Sequence, residues 1–234
     1  MNDNTRKLVY KRNIFSKILS IFNTEFQFKL LSFYKDKKII ELIKSIKKEI
    51  NFAFYPIEAY HIFSIAHSQS RIKGDMAEVG VYQGGSAKLI CEAKTEHTLH
   101  LFDTFEGLPE VSNQDTHFGT KFWKTGEFDN TSLEEVRTYL SDYENIKFYK
   151  GIFPETTNPI KETQFSFVHL DVDLYQSTKD CLDFFFPKMV TGGVILTHDY
   201  HTSGVKLAFE EFFQDKQIPW IELSGSQCLV IKTT

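Results

Sequence analysis

Hydrophobic and polar positions follow two rhythms along this chain of 234 residues. From Ile14 to Phe33 the apolar residues Ile14, Phe15, Ile18, Leu19, Ile21, Phe22, Phe26, Leu30, Leu31 and Phe33 recur largely at helical spacing. Ile39, Ile40, Leu42, Ile43, Ile46 and Ile50 repeat the pattern around Lys44, Lys47 and Lys48. Residues three and four apart share a helix face, so both stretches predict amphipathic helices, and a third spans roughly 57–70. After Gly74 short apolar runs alternate with helical stretches, as in a parallel sheet covered on both faces. Strands are expected near 76–81, 98–103, 146–150, 166–171 and 193–198, and helices near 84–94, 131–141, 175–186 and 203–215. Two further strand-like runs, Trp220 to Leu223 and Gln227 to Lys232, are joined by "SGS" and read as a terminal hairpin. The fold class is therefore α/β: a seven-stranded, mostly parallel sheet that ends in an antiparallel hairpin and is preceded by N-terminal helices. Residues 1–56 form a basic helical arm and residues 57–234 the α/β domain.

One connection is too long for a linker. "TFEGLPEVSNQDTHFGTKFWKTGEFDN", Thr104 to Asn130, carries Phe105, Phe118, Phe122 and Trp123 and is expected to close over a ligand as a lid.

A composition of 41% hydrophobic and 25% charged residues is that of a globular protein. The chain holds no apolar run long enough to span a bilayer, and "MNDNTRKLVYKRN" lacks a secretory leader's apolar core, so the expected location is cytoplasmic. Cys91, Cys181 and Cys228 are odd in number and widely separated, which reads as buried thiols. Charge is unevenly spread. Residues 1–50 hold 12 Lys and Arg against 5 Asp and Glu, a balance of +7, and the remainder carries −11. The acidic body argues against nucleic acid as a partner. The basic arm is expected to cap the core or a dimer interface, making a homo-oligomer; its alternative is peripheral contact with a membrane or partner.

Ligands of open α/β sheets sit beyond the carboxyl ends of the strands. "AEVGVYQGGSA" is such an end: Glu78 closes the apolar run, Gly80 opens the turn, and Gly84-Gly85 lead into a helix. Tyr82 stands where a dinucleotide fingerprint needs glycine, which disfavours a nicotinamide oxidoreductase. The next strand ends "LHLFD", with Asp103 placed for a ribose diol and Thr104 beside it; the third ends "FYKGIFPET", with Gly151 and Phe153 placed for an adenine. A nucleoside without phosphates fits these features, and S-adenosylmethionine matches the carboxylates with its cationic groups.

The fourth strand runs into "LDVD" and the fifth ends at His198-Asp199. If these strands are neighbours, Asp171, His198 and Asp199 converge on a site for a divalent cation, Mg²⁺ by the preference of hard ions for oxygen. Such an ion lowers the pKa of an acceptor hydroxyl, and His198 or an unligated carboxylate, Asp171 among them, takes the proton. Asp173 either joins this cluster or caps the following helix, while His169 reads as a core histidine.

"AEVGVYQGGSA", "LFDTFEGLP", "LDVDLYQST" and "GGVILTHDY", in this order, resemble the macrocin O-methyltransferase (TylF/MycF) family of S-adenosylmethionine-dependent enzymes from about Ile57 to the C-terminus. The resemblance implies a class I methyltransferase (Rossmann-like) fold, a Mg²⁺ ion, and methylation of a hydroxyl on a sugar or glycosylated small molecule. It assigns Glu78, Gly80, Tyr82, Gly84 and Ser86 to the turn at the cofactor's amino-acid end, Asp103 to the ribose, and Asp171 and Asp199 to the metal. One departure is chemical: the family's usual aspartate pair after the fifth strand reads His198-Asp199, and imidazole suits Mn²⁺ better than Mg²⁺. His198 is then either a ligand or the base. A second expectation from another class is a catalytically silent binding protein on the same fold, recruited through its arm.

Overall fold

The computed structural model describes residues 14–117, 120–121 and 123–233. Residues 1–13 of the arm, and Phe118 and Phe122 of the expected lid, lie outside them. Three helices come first: α1 (Ile14–Tyr34), α2 (Lys37–Glu49) and α3 (Pro56–Gln69). β1 (Asp75–Val79), α4 (Gly85–Ala93) and β2 (Leu99–Asp103) follow, then a short antiparallel pair, β3 (Thr116–His117) and β4 (Thr120–Lys121). The chain continues through α5 (Leu133–Tyr139), β5 (Ile146–Lys150), β6 (Phe165–Leu170), α6 (Tyr175–Phe185), β7 (Met189–Thr197) and α7 (Ser203–Phe213), and ends with β8 (Trp220–Glu222) and β9 (Cys228–Ile231).

Seven strands form one sheet in the order β5-β2-β1-β6-β7-β9-β8, with only β9 antiparallel to its neighbours. This is the expected architecture. β7 starts earlier than expected because Met189 already pairs with Phe165, across a register irregularity that the Gly192-Gly193 stretch accommodates. The chain builds outward from β1 to β5 and then crosses back to lay β6 on the other side of β1, so the switch point lies between the ends of β1 and β6.

Successive strand residues face opposite sides, and the two faces of the sheet differ. Ala77, Val79, Phe102, Val168, Leu170 and Ile195 pack under α6 and α7. Met76, Leu99, Leu101, Phe167, Val194 and Leu196 pack under α2, α3 and α4. Two residues further along, this second series turns polar at Glu78, Asp103, His169 and His198, and Asp171 follows two residues after His169. The candidate site residues therefore continue one apolar face beyond the core.

Gly80 sets the spacing at the switch point. Its φ of +85° is left-handed, and a Cβ there would lie 1.9 Å from the Asp171 carbonyl oxygen. The expectation that Gly80 opens the turn stands beside a second reason for glycine: the backbone of β6 runs against it.

The separation of residues 1–56 from the domain is not seen in the packing of α2. Ile40, Ile43 and Ile46 are buried in the same cluster as Met76, Leu89 and Leu101. α1 differs, burying Phe28 and Leu31 but leaving Phe22 70% and Phe33 81% exposed. No helix among the described residues is long and apolar enough to cross a membrane. All three cysteines are free and buried.

Two carboxylates pin distant segments. Asp115 reaches out of the long loop: its Oδ1 accepts the Tyr175 N–H at 2.6 Å and its Oδ2 accepts from Ser112, which fixes the loop to the start of α6. Asp173, read either as part of the acidic cluster or as a cap for that helix, does not cap it: Leu174 occupies the cap position and Asp115 takes the Tyr175 N–H. Glu58 caps α3 through the Tyr55 N–H (2.9 Å) and accepts both the N–H and the hydroxyl of Ser226 in the β8–β9 turn, each at 2.8 Å. Burial works to raise its pKa, but the hydrogen bonds and charge of His198 and the donated backbone N–H groups hold the carboxyl down to about 2.

Gly80→Ala is expected to cost roughly 3 kcal/mol or more by urea unfolding, combining overlap with a left-handed penalty. Gly126→Ala, at φ +78° with nothing within 4 Å of its Cβ, should show only the backbone penalty of about 1–2 kcal/mol. Because the folded Glu58 pKa lies below its ordinary value of 4.5, its stabilisation is present above pH 4.5 and disappears as pH falls towards 2. Wild type should thus lose more stability between pH 7 and pH 3 than Glu58→Gln does, by on the order of 2–3 kcal/mol.

Candidate active site

A cavity of about 260 Å³ opens at the carboxyl edge of the sheet. Of the residues singled out in the sequence, Gly80, Tyr82, Ser86, Asp103, Thr104, Gly151, Phe153, Asp171, His198 and Asp199 line it. Glu78 and Gly84 do not.

Glu78 lies behind the wall because β1 and β6 pair it with His169. Its Oε1 is 2.7 Å from His169 Nδ1, and both side chains are fully buried. Burial pushes the Glu78 carboxyl well above the usual range and pushes His169 down to about 4, each towards its neutral form. Glu78 Oε2 and His169 Nε2, the outer polar atoms of the pair, are both buried without a hydrogen-bond partner. His169 is a core histidine, as expected. Gly84 instead starts α4 in a left-handed conformation (φ +86°), against Val136 and Tyr139.

The turn after β1 is fastened by Asp103. Its Oδ2 accepts the N–H groups of Val81 (2.7 Å) and Tyr82 (2.8 Å), and its Oδ1 accepts that of Phe105 (2.6 Å). A carboxylate has about four lone-pair sites, so acceptor capacity remains on the cavity side. Thr104 beside it donates its hydroxyl to the Gly107 carbonyl (2.7 Å). Gly151 (φ +138°) and Phe153 close the far end, where Phe153 stacks on Phe185 with centroids 5.3 Å apart.

Asp171, His198 and Asp199 converge as the strand order required. One ligand atom from each lies within 4.8 Å of the others. His198 Nδ1 is 3.2 Å from Asp171 Oδ1 and 3.1 Å from Asp199 Oδ2, and it is buried without a hydrogen-bond partner. Burial disfavours its charge, yet the negative Asp199 and Asp171 raise its pKa well above the ordinary value. Asp173, buried on the cavity wall beside them, is pushed up by burial and by the charges of Asp199 and Asp171. Burial would also raise Asp199, but the His198 charge outweighs it and keeps that carboxyl below its usual range. Two carboxylate oxygens and an unpartnered imidazole nitrogen are a donor set that fits a divalent cation.

Sequence reasoning missed one wall of the site. Asn51, Phe52 and Phe54 come from the α2–α3 connection. A Cβ on Gly85 would lie 2.4 Å from Phe52 Cδ2, so the second glycine of the pair makes room for this ring. Phe54 sits with its centroid 4.5 Å from that of His198. The only signal was the aromatic density of "NFAFYP". From the long loop, Trp123 and Phe128 line the cavity with ring centroids 5.7 Å apart, whereas Phe105 is buried in the core and is no part of a lid.

A family model described as Macrocin-O-methyltransferase (TylF) matches residues 63–222. A tetracenomycin 4'-O-methyltransferase of Streptomyces olivaceus, named for its 8-demethyl-8-(2,3-dimethoxy-alpha-L-rhamnosyl) substrate, is 29% identical over 153 residues, covering 60% of this chain and 58% of that protein. A demethyldecarbamoylnovobiocin O-methyltransferase of Streptomyces niveus is 29% identical over 143 residues, covering 56% and 54%. The chain thus spans less than two thirds of the length of these relatives. The solved structure of the O-methyltransferase NovP superposes with a TM-score of 0.64 at 26% identity, over 76% of this chain and 80% of that one. The fold is the class I, Rossmann-like methyltransferase fold, and the chain belongs to the macrocin O-methyltransferase (TylF) family.

Proposed function

We propose that this chain transfers a methyl group from S-adenosylmethionine to a hydroxyl of a sugar or glycosylated small molecule, with a divalent cation held by Asp171, His198 and Asp199. One observation carries the reading: the turn fastened by Asp103 and the Asp171–His198–Asp199 cluster open into the same cavity. The relatives' names, both O-methyltransferases and one of them acting on a rhamnosyl compound, support the acceptor class.

S-adenosylmethionine supplies a methyl group on a positively charged sulfur, and a bound divalent cation supplies charge that lowers the pKa of a nearby hydroxyl. The residues do the rest. Gly80, Tyr82 and Ser86 shape the seat for the amino-acid end, Asp103 faces the ribose, and Gly151 and Phe153 flank the base. Asp171 and Asp199 orient the acceptor side of the cavity. A cation on Asp171 and Asp199 would weaken the negative field that raises Asp173, and Asp173 would then be the carboxylate on the wall able to accept the hydroxyl proton; without a cation that role would fall to the unprotonated form of His198, through Nδ1. Phe54, Trp123 and Phe128 exclude water from the space between donor and acceptor.

Calorimetry should detect S-adenosylmethionine binding, and Asp103→Asn should weaken it about 10–100-fold, the loss of one charge-assisted hydrogen bond. Asp171→Asn and Asp199→Asn should leave that affinity nearly intact while lowering methyl transfer to a glycoside library by roughly 10²–10³-fold or more. Absence of any binding heat would overturn the reading as a whole. Turnover indifferent to EDTA would remove the cation and leave His198 as the base.

A further inference from the structure

His198 has its own support, built from α3 and the β8–β9 turn, segments distant in sequence. His198 Nε2 lies 2.9 Å from Ser226 Oγ in the β8–β9 turn, and that hydroxyl lies 2.8 Å from Glu58 Oε1 on α3. The hydrogen-bond directions follow by elimination. Glu58 accepts the Tyr55 N–H on Oε2 and the Ser226 N–H on Oε1, so it acts as a carboxylate acceptor on both oxygens. A serine hydroxyl carries one proton, which points to Glu58, so Ser226 Oγ can only accept from the imidazole. Nε2 therefore bears a hydrogen, and Nδ1 is the nitrogen turned towards Asp171 and Asp199.

We propose that Glu58 and Ser226 are positioning residues that fix His198 with Nε2–H donated to Ser226, so that Nδ1 is the atom presented to the site. The proposal rests on the function given above and deepens it, because it says which nitrogen acts as ligand or base there. Glu58 Oε2 stands 3.7 Å from Nε2, near enough for the two charges to act on each other but beyond hydrogen-bond range, and the hydroxyl bridges the gap. The local chain is shaped to allow it. Gly225 has φ +102°, and a Cβ there would lie 2.5 Å from Glu58 Oε1, so the glycine of "SGS" admits the carboxylate. Gln227 adds a second tie between the same turn and α3, its Oε1 lying 2.9 Å from His61 Nδ1 and its Nε2 reaching the Glu58 carbonyl at 3.3 Å. The low pKa of Glu58, about 2, agrees with its role as acceptor. Carboxylate-supported histidines of this kind are common behind metal ligands and bases, where the second partner sets tautomer and ring orientation.

The test compares the full-length wild type with Ser226→Ala and Ser226→Thr, labelled with ¹⁵N in the histidine rings. The His198 signals are assigned as those absent in His198→Asn. Wild type and Ser226→Thr should show a proton on Nε2 protected from exchange with water; in Ser226→Ala the protection should be lost. Mn²⁺ titration should find affinity 10–100-fold weaker in Ser226→Ala and restored in Ser226→Thr, and kcat should fall over the same range with S-adenosylmethionine affinity unchanged. Glu58→Gln should reproduce the loss. Equal Nε2 protection in wild type and Ser226→Ala overturns the assignment of the nitrogen, and changed protection with unchanged Mn²⁺ affinity and kcat overturns the positioning role. The nuclear magnetic resonance measurement requires neither cofactor nor turnover, so failure of the methyltransferase reading leaves it decisive and is recognised separately, by absent S-adenosylmethionine binding in the wild type.

Discussion

Two strand ends approach so closely at the centre of the sheet that only a glycine fits between them. Gly80, at the end of β1, has the Asp171 carbonyl where a Cβ would stand. This contact lies at the switch point, where the chain leaves β1 in one direction and later returns through β6 in the other. It joins two halves of a site that are far apart in sequence. The Asp103-fastened turn follows β1 directly, and the acidic cluster follows β6 and β7, so the distance between the two groups is set by backbone rather than by flexible side chains.

Burial acts differently on the two histidine–carboxylate pairings beside that contact. Glu78 and His169 meet one to one with no access to water, and burial shifts both towards their neutral forms. His198 is less enclosed and faces both Asp171 and Asp199, whose charges raise its pKa against the effect of burial. Burial and the same charges raise Asp173. The cluster is thus a group of acids around one imidazole, and a divalent ion would bring further positive charge to it.

Period-two alternation made most of this legible. The strand ends, the order of helices and the convergence of Asp171, His198 and Asp199 all follow from apolar runs that stop at a polar residue, combined with the rule that parallel strands gather ligands at their carboxyl ends. What escaped depended on contacts between segments distant in sequence. Nothing local in "VYQGGSA" reveals that Gly85 is small because Phe52 rests on it, and nothing in "LDVDLY" reveals that Asp115, from a loop 60 residues earlier, takes the Tyr175 N–H at the start of the helix. Glu78 was read as facing a ligand because it ends an apolar run; the pairing of β1 with β6 gave one of its oxygens to His169 instead.

The N-terminal helices belong to this site as well as to the fold. The family match covers residues 63–222, yet Phe52 and Phe54 before it form a cavity wall, and Glu58 before it meets Ser226 after it at the Nε2 edge of His198. An imidazole is larger than a carboxylate and has two unlike nitrogens, so placing it in this cluster demands a means of choosing between them that an aspartate does not require. Phe54 packed on the ring and Ser226 at its edge provide that choice, from outside the segment shared with the family. The imidazole at position 198 and the support around it are therefore one structural feature.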